Sequence, residues 1–205
     1  MLRRVGLLSA VLACLLPVVA QAQLKYQEGV DYTILETSID EAKSPKVIEF
    51  FWYGCPHCYT VSEPFDQWIE SDKPESIEVE KVPAIPSDRW KPAAQLFYTA
   101  EQLGLDADKE IFDAIHKNNN NALVFNEKAM AQFLDKKFSV SSEDFTKAWN
   151  SFAVQQKLKR AEDLFAQARL TGVPVFVVNG QYQVENGGDL QRKFDLLTYL
   201  AQYKK

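Results

Sequence analysis

The sequence predicts an α/β fold whose sheet is interrupted by a helical block, and three patterns carry that expectation. Runs of β-branched and aromatic residues fall near 47–53, 77–82 and 173–184. Between the second and third runs, residues 88–168 repeat apolar side chains at spacings of three and four. The order is therefore strand–helix–strand, a helical block, then hairpin–helix. A chain of 205 residues, 46% hydrophobic and 25% charged, has the make-up of an ordinary globular protein with material for a real core. Its 28 acidic against 23 basic side chains argue against non-specific nucleic-acid binding, which needs a basic surface.

The first segment is a targeting signal by its pattern. Met1-Leu2-Arg3-Arg4 is a short positive head, Val5 to Ala20 is apolar apart from Ser9, and Ala20-Gln21-Ala22 is a small-x-small end. Residues 1–22 are expected to be a cleaved secretory signal peptide, with flanks and length unsuited to a retained membrane span. Val11-Leu12-Ala13-Cys14 loosely resembles a lipoprotein box, but the apolar run continues past it and a better cleavage site follows. Cleavage removes one of the three cysteines. Cys55 and Cys58 remain, three positions apart in an exported chain.

Each later element has its own signal. Val47 to Tyr53 reads as a strand apolar on both faces, hence central and parallel to a neighbour, ending at Gly54. Val61, Phe65, Trp68 and Ile69 mark a helix that Pro64 is expected to kink. Ile77 to Val82 alternates as a second strand, closed by Pro83 and Pro86. In the helical block, Leu96, Phe97, Ala100 and Leu103 form a stripe stopped by Gly104. Ile111, Phe112 and Ile115 form another, broken by Asn118 to Asn121. Asn126 caps a third helix with Met130, Phe133 and Leu134.

Ser141 with Asp144 then opens one long helix, running through Phe145, Ala148, Trp149, Phe152, Ala161, Leu164, Phe165 and Ala168. These aromatic stripes are read as packing core and not as a cofactor site. Strand character returns from Gly172 to Val178, Asn179-Gly180 is a two-residue hairpin signal, and Tyr182 and Val184 start the return strand. Gly187-Gly188 precedes a last helix with Leu190, Phe194, Leu197 and Leu200. The expected division is 23–87 and 166–205 as two parts of one α/β domain, with 88–165 as the inserted helical domain.

Chemistry concentrates at Gly54-Cys55-Pro56-His57-Cys58-Tyr59, where strand turns into helix. A structural disulfide is a poor reading, because a four-residue ring removes little unfolded-chain entropy. Zinc needs four ligands, and the chain offers only Cys55, Cys58, the awkwardly placed His57 and a distant His116. A redox pair at a strand-to-helix turn is favoured by the context. With Cys55 as N-cap and Pro56 as first helical residue, Cys55 sits at the positive end of the helix and Cys58 a turn inside it. Cys55 is then the exposed, low-pKa sulfur. His57 favours its anion further; the alternative for His57 is an idle surface histidine. A favoured Cys55 thiolate makes the disulfide easy to reduce and the reduced form the more stable one, so the chain oxidises other thiols.

With Glu49-Phe50-Phe51, Ala148-Trp149-Asn150-Ser151-Phe152, Gly172-Val173-Pro174 and Phe176 to Gly180 added to this motif, the sequence resembles the bacterial periplasmic thiol:disulfide oxidoreductases of the DsbA type. The resemblance runs through nearly the whole chain in the family's order. It implies a thioredoxin-like fold with an inserted α-helical domain, and no cofactor beyond the redox-active disulfide Cys55–Cys58. It also implies substrates that are newly exported cysteine-containing proteins, and reoxidation by a quinone-linked inner-membrane partner of the DsbB type. It makes Val173-Pro174 the cis-proline pair facing the motif, with Val173 offering backbone hydrogen bonds to an extended substrate.

Glu49 breaks the apolar strand just before the motif, and Lys81 shares the face of Ile77 and Val79. Glu49 is expected to exchange a proton with Cys58, with Lys81 nearby; two ordinary surface charges are the alternative. The expected protein is a monomeric periplasmic dithiol oxidase without a metal. A disulfide isomerase or reductase of the same fold stands beside it as an alternative, as does a non-redox export chaperone or metal-binding module.

Overall fold

The computed structural model describes residues 25–39, 45–185 and 187–203; the expected signal peptide and Cys14 lie outside them. A five-stranded sheet is built from β1 (Thr33–Ile34), β2 (Lys46–Phe51), β3 (Glu78–Pro83), β4 (Val175–Val178) and β5 (Tyr182–Glu185), in the order β1-β5-β4-β2-β3. β2 lies inside the sheet, parallel to β3 and antiparallel to β4. Its buried run Val47–Phe51 matches that interior position. β1 is two residues long, too short for any periodicity to reveal it. Seven helices complete the described fold: α1 (Pro56–Gln67), α2 (Lys91–Gln102), α3 (Asp108–His116), α4 (Glu127–Phe138), α5 (Ser142–Trp149), α6 (Phe152–Gln167) and α7 (Leu190–Gln202).

Alternation along β2 sends its side chains into different cores. Val47 packs with Val61, Phe65 and Trp68 beneath α1, and with Phe194, Leu197 and Leu200 of α7. Ile48 and Phe50 face the other way, against Leu158, Ala161 and Phe165 of α6. At the end of the strand, Phe51, together with Tyr53 and Cys58, enters the core of the helical block beside Leu96, Ile111 and Leu134. The block is thus anchored on the segment that bears the cysteines.

One expectation needs correction. The predicted single helix from Ser141 to Ala168 is two helices, because the chain breaks at Asn150 and Ser151 starts again as the N-cap of α6. Ser151 Oγ accepts from Val154 N at 3.2 Å, while Gln95 and Gln155 both donate to the Trp149 carbonyl left free by the break. Phe152, expected in the apolar stripe, is consequently 76% exposed. Replacing Ser151 by alanine is expected to lower stability by about 1 kcal/mol in urea melts. Pro64 lies inside α1, which continues to Gln67 and then widens into a π turn over Trp68–Asp72.

The other caps stand where the sequence placed them. Asn126 Oδ1 accepts from Ala129 N, and Ser141 Oγ from Asp144 N. Asn179 and Gly180 both have positive φ, 50° and 64°, the geometry of a type I′ hairpin. The Asn179 side chain also ties this turn to Lys46 N and to the carbonyls of Leu200 and Ala201.

Candidate active site

Cys55 is the N-cap of α1, with extended backbone angles, and Pro56 follows in the first turn. The missing N–H of proline costs nothing there, and the free amides of the first turn point at the cap. Cys55 Sγ accepts from Cys58 N at 3.4 Å. Its thiol is drawn down to about 6, chiefly by the Cys58 thiol donating to it, against the opposing effect of burial. The backbone amides of Cys58 and His57 and the nearby His57 charge add to the effect.

Cys58 is fully buried. Burial, the hydrogen bond to Cys55 and the Cys55 charge all hold its thiol far above the ordinary range. The two sulfurs are therefore unequal.

The loop before β4 comes close to this pair. Cys55 Sγ lies 3.6 Å from the Val173 carbonyl, and the Val173–Pro174 bond is cis. Val173, Pro174, Gln183, Glu185 and the exposed His57 line a groove of about 440 Å³ beside Cys55. On the other side, Trp52 stacks on Trp90 at 4.1 Å between ring centroids. Gly54 passes so close to Trp52 that a Cβ there would meet the indole at 2.6 Å, which explains a glycine directly before the cysteine.

Glu49 is buried, 3% exposed, on the β2 face that also carries Val47 and Phe51. Burial pushes its carboxyl up to about 8, opposed by the Lys81 charge and reinforced by those of Asp66 and Asp108. Lys81, expected near Glu49 on the inward face, is its register partner across β2 and β3. Its ammonium, however, bonds Asp66 at 2.6 Å and Asp108 at 3.2 Å, and acts on Glu49 only through space. Asp108 also accepts the Tyr53 hydroxyl. A connected set of charges thus runs from Glu49 through Lys81 to a groove of about 730 Å³ lined by Tyr59, Glu63, Asp66, Lys81 and Asp113.

Asp66, Asp108, Tyr53 and His116 were not legible as site residues. Asp66 had a faint signal, two helical turns beyond Cys58 on α1. Asp108 and His116 had none, since α3 reaches the site only through the tertiary fold. His116, weighed in the sequence only as a distant zinc ligand, has Nε2 at 2.8 Å from the Tyr53 carbonyl and not at a thiol.

Residues 76–198 match the profile of the DSBA-like thioredoxin domain. The chain belongs to the DsbA-like thioredoxin family. The thiol:disulfide interchange protein DsbA of Pseudomonas aeruginosa is 34% identical over 200 residues, covering 95% of this chain and 92% of the relative. DsbA of Azotobacter vinelandii is 34% identical over 183 residues, covering 86% and 84%. Among solved structures, P. aeruginosa DsbA matches with a TM-score of 0.79 at 33% identity, over 87% of this chain and 94% of the other. Xylella fastidiosa DsbA matches with a TM-score of 0.73 at 26% identity, over 83% and 93%. The fold is the DsbA one, a thioredoxin-like sheet with an inserted helical domain, and the protein is a thiol:disulfide interchange oxidoreductase.

Proposed function

We propose that this DsbA-family chain is a periplasmic dithiol oxidase that donates the Cys55–Cys58 disulfide to newly exported proteins, working as a monomer and without another cofactor. The observation that carries this reading is the inequality of the two sulfurs, one at a helix N-terminus with a depressed pKa and one buried behind it. A substrate thiolate attacks Cys55 Sγ, the Cys55–Cys58 bond breaks, and Cys58 leaves as a thiolate that takes up a proton. A second substrate thiolate then attacks its own sulfur in the mixed disulfide and expels Cys55, a good leaving group because its anion is stabilised. The substrate is left oxidised and the enzyme reduced.

Val173 and Pro174 border the attacked sulfur, so the backbone of Val173 is assigned to the extended substrate chain and His57 to tuning Cys55. Glu49 is assigned the proton of Cys58, with Lys81 holding its charge balance. A quinone-linked membrane partner of the DsbB type is assigned the reoxidation, on the family resemblance. Export to the periplasm rests on the sequence pattern of residues 1–22 and on the persistence of disulfides outside the cytosol.

The test is the thiolate absorbance of Cys55 with pH, joined to urea melts of both redox states. The absorbance is expected to rise with a midpoint near 6. Because the folded pKa lies below that of an unfolded thiol, the reduced form gains stability fully present above about 9 and lost as pH falls through about 6. Solvent screening at the half-buried Cys55 reduces the size of this gain but not its sign. The stability of the reduced form relative to the oxidised one should rise as pH goes from about 6 to about 9. A midpoint near that of a free thiol, with no pH dependence of the gap, would favour the isomerase or reductase reading.

A further inference from the structure

The segment between β2 and α1 carries the reactive cysteine yet has few restraints of its own. Cys55 N closes a turn on the Trp52 carbonyl at 2.9 Å, and Gly54 leaves the backbone free to rotate on either side. Tyr53, 1% exposed, lies in the middle of this turn, where an unpaired carbonyl is costly. The partner comes from the helical block. His116, the last residue of α3, donates from Nε2 to the Tyr53 carbonyl at 2.8 Å.

The same ring restrains the other flank of the motif. It stacks on Tyr59, the residue after Cys58, with centroids 4.8 Å apart and planes 10° from parallel. Two more α3 residues complete the grip. Phe112 packs edge-on against Tyr53 at 4.9 Å and beside Tyr59 at 6.0 Å, and Asp113 accepts the Tyr59 hydroxyl at 3.0 Å. The Cys55-Pro56-His57-Cys58 stretch is thus held at both ends by one helix of the insert, and His116 hydrogen-bonds the backbone at one end while stacking on the ring at the other.

We propose that His116 is a positioning residue for the redox motif, whose hydrogen bond to the Tyr53 carbonyl keeps Cys55 Sγ aligned with the first-turn amides of α1. The proposal rests on the reading of Cys55 as the attacked sulfur. It gives the helical insert a role in setting the reactivity of the site. When the bond is absent, the Tyr53 carbonyl must seek another donor, the turn shifts, and the Cys55 anion loses part of its amide contact. His116 itself touches neither substrate nor sulfur in this arrangement.

Three substitutions separate positioning from plain packing. His116→Gln places an amide N–H where Nε2 was. His116→Asn offers the same amide one methylene short of the carbonyl. His116→Phe keeps the stack on Tyr59 and removes the donor. Each is compared with the unaltered enzyme by Cys55 thiolate absorbance against pH, by its equilibrium with glutathione, and by a urea melt. The Asn and Phe variants are expected to titrate higher by about one pH unit, corresponding to about tenfold less thiolate below the midpoint, and to oxidise substrates less strongly. The Gln variant is expected to stay within about twofold of the unaltered enzyme, the level at which an aligned donor is retained.

Should Phe fail to fold, the contrast of Gln with Asn carries the same information. Unchanged titration in all the folded variants, whatever their melts, overturns the proposal, as does an equal rise in Gln and Asn. The titration of the unaltered enzyme tests the assignment of Cys55 separately, so the two failures are distinguishable.

Discussion

Cys55→Ser is expected to abolish thiol–disulfide exchange entirely, whereas Cys58→Ser should leave a chain that attacks disulfides once and then stays bound to them. The difference follows from the positions of the two sulfurs. Cys55 is the half-buried N-cap open to the groove at Val173, and Cys58 is fully buried behind it. With Cys58 replaced, a Cys55 thiolate can still open a substrate disulfide, but no internal thiol remains to displace the substrate. Mixed disulfides therefore accumulate, visible as heavier species on non-reducing gels with a disulfide-containing peptide or protein.

Cys58→Ala sharpens the same test. The Cys58 thiol is the chief donor that lowers Cys55, and serine keeps a donor there while alanine does not. Cys55 should titrate higher in the alanine variant than in the serine variant. Equal trapping by Cys55→Ser and Cys58→Ser, or equal titration of the Ser and Ala variants, contradicts this assignment of roles.

The second large effect is expected at Glu49. When Cys58 leaves the disulfide it is a buried thiolate whose proton affinity is held high, and Glu49, with its carboxyl near 8, still carries a proton at neutral pH. Proton transfer gives the Cys58 thiol and a Glu49 carboxylate facing the Lys81 charge, and the carboxylate is then reprotonated from solvent. Glu49→Gln removes this donor and should slow the opening of the disulfide by about a hundredfold, a usual size for a lost proton-transfer group. The effect should be largest near neutral pH, where Glu49 remains protonated.

Stability should respond in the opposite sense. The folded pKa of Glu49 is raised, so its contribution is intact below an unfolded value near 4.5 and is lost as pH rises through about 8. In the oxidised protein, where neither thiol titrates, stability should decline by up to about 1.4 kcal/mol per pH unit across that window. Glu49→Gln should flatten the decline and be the more stable form by a few kcal/mol at its alkaline end. Asp66, also raised chiefly by burial, gives a slope of the same sign that survives the substitution. A variant with unaltered kinetics and an unaltered pH slope would falsify the proton role.

The residues that read well in the sequence are those whose signal is local. Cys55, Pro56 and Cys58 form a strand-to-helix turn in which cap, first turn and buried third position are fixed by helix geometry alone. Glu49 stood out because a carboxylate in a buried strand is costly wherever the strand goes. The Asn179–Gly180 turn was legible because both residues tolerate positive φ. At Asn150 and Phe152 the apolar spacing continues across a break made by Ser151 as a cap, so the period alone does not show it.

The partners of Lys81 show the limit from the other side. The pleat count puts Lys81 on the inward face with Ile77 and Val79, and the strand register pairs it with Glu49. Asp66 and Asp108 claim its ammonium because α1 and α3 lie over this edge of the sheet, a fact of packing between segments far apart in the chain.

The α/β class, the redox motif and the inequality of its two cysteines are thus written in the amino-acid order, since each depends on periodicity or on neighbours within one helical turn. What surrounds the motif comes from folding in three dimensions: the Val173 carbonyl at Cys55, the acids on Lys81, and His116 on Tyr53 and Tyr59. These contacts join residues separated by tens of positions. Which of many compatible side chains meet there is settled by how the helices of the insert pack on the end of β2, and no local pattern encodes that choice.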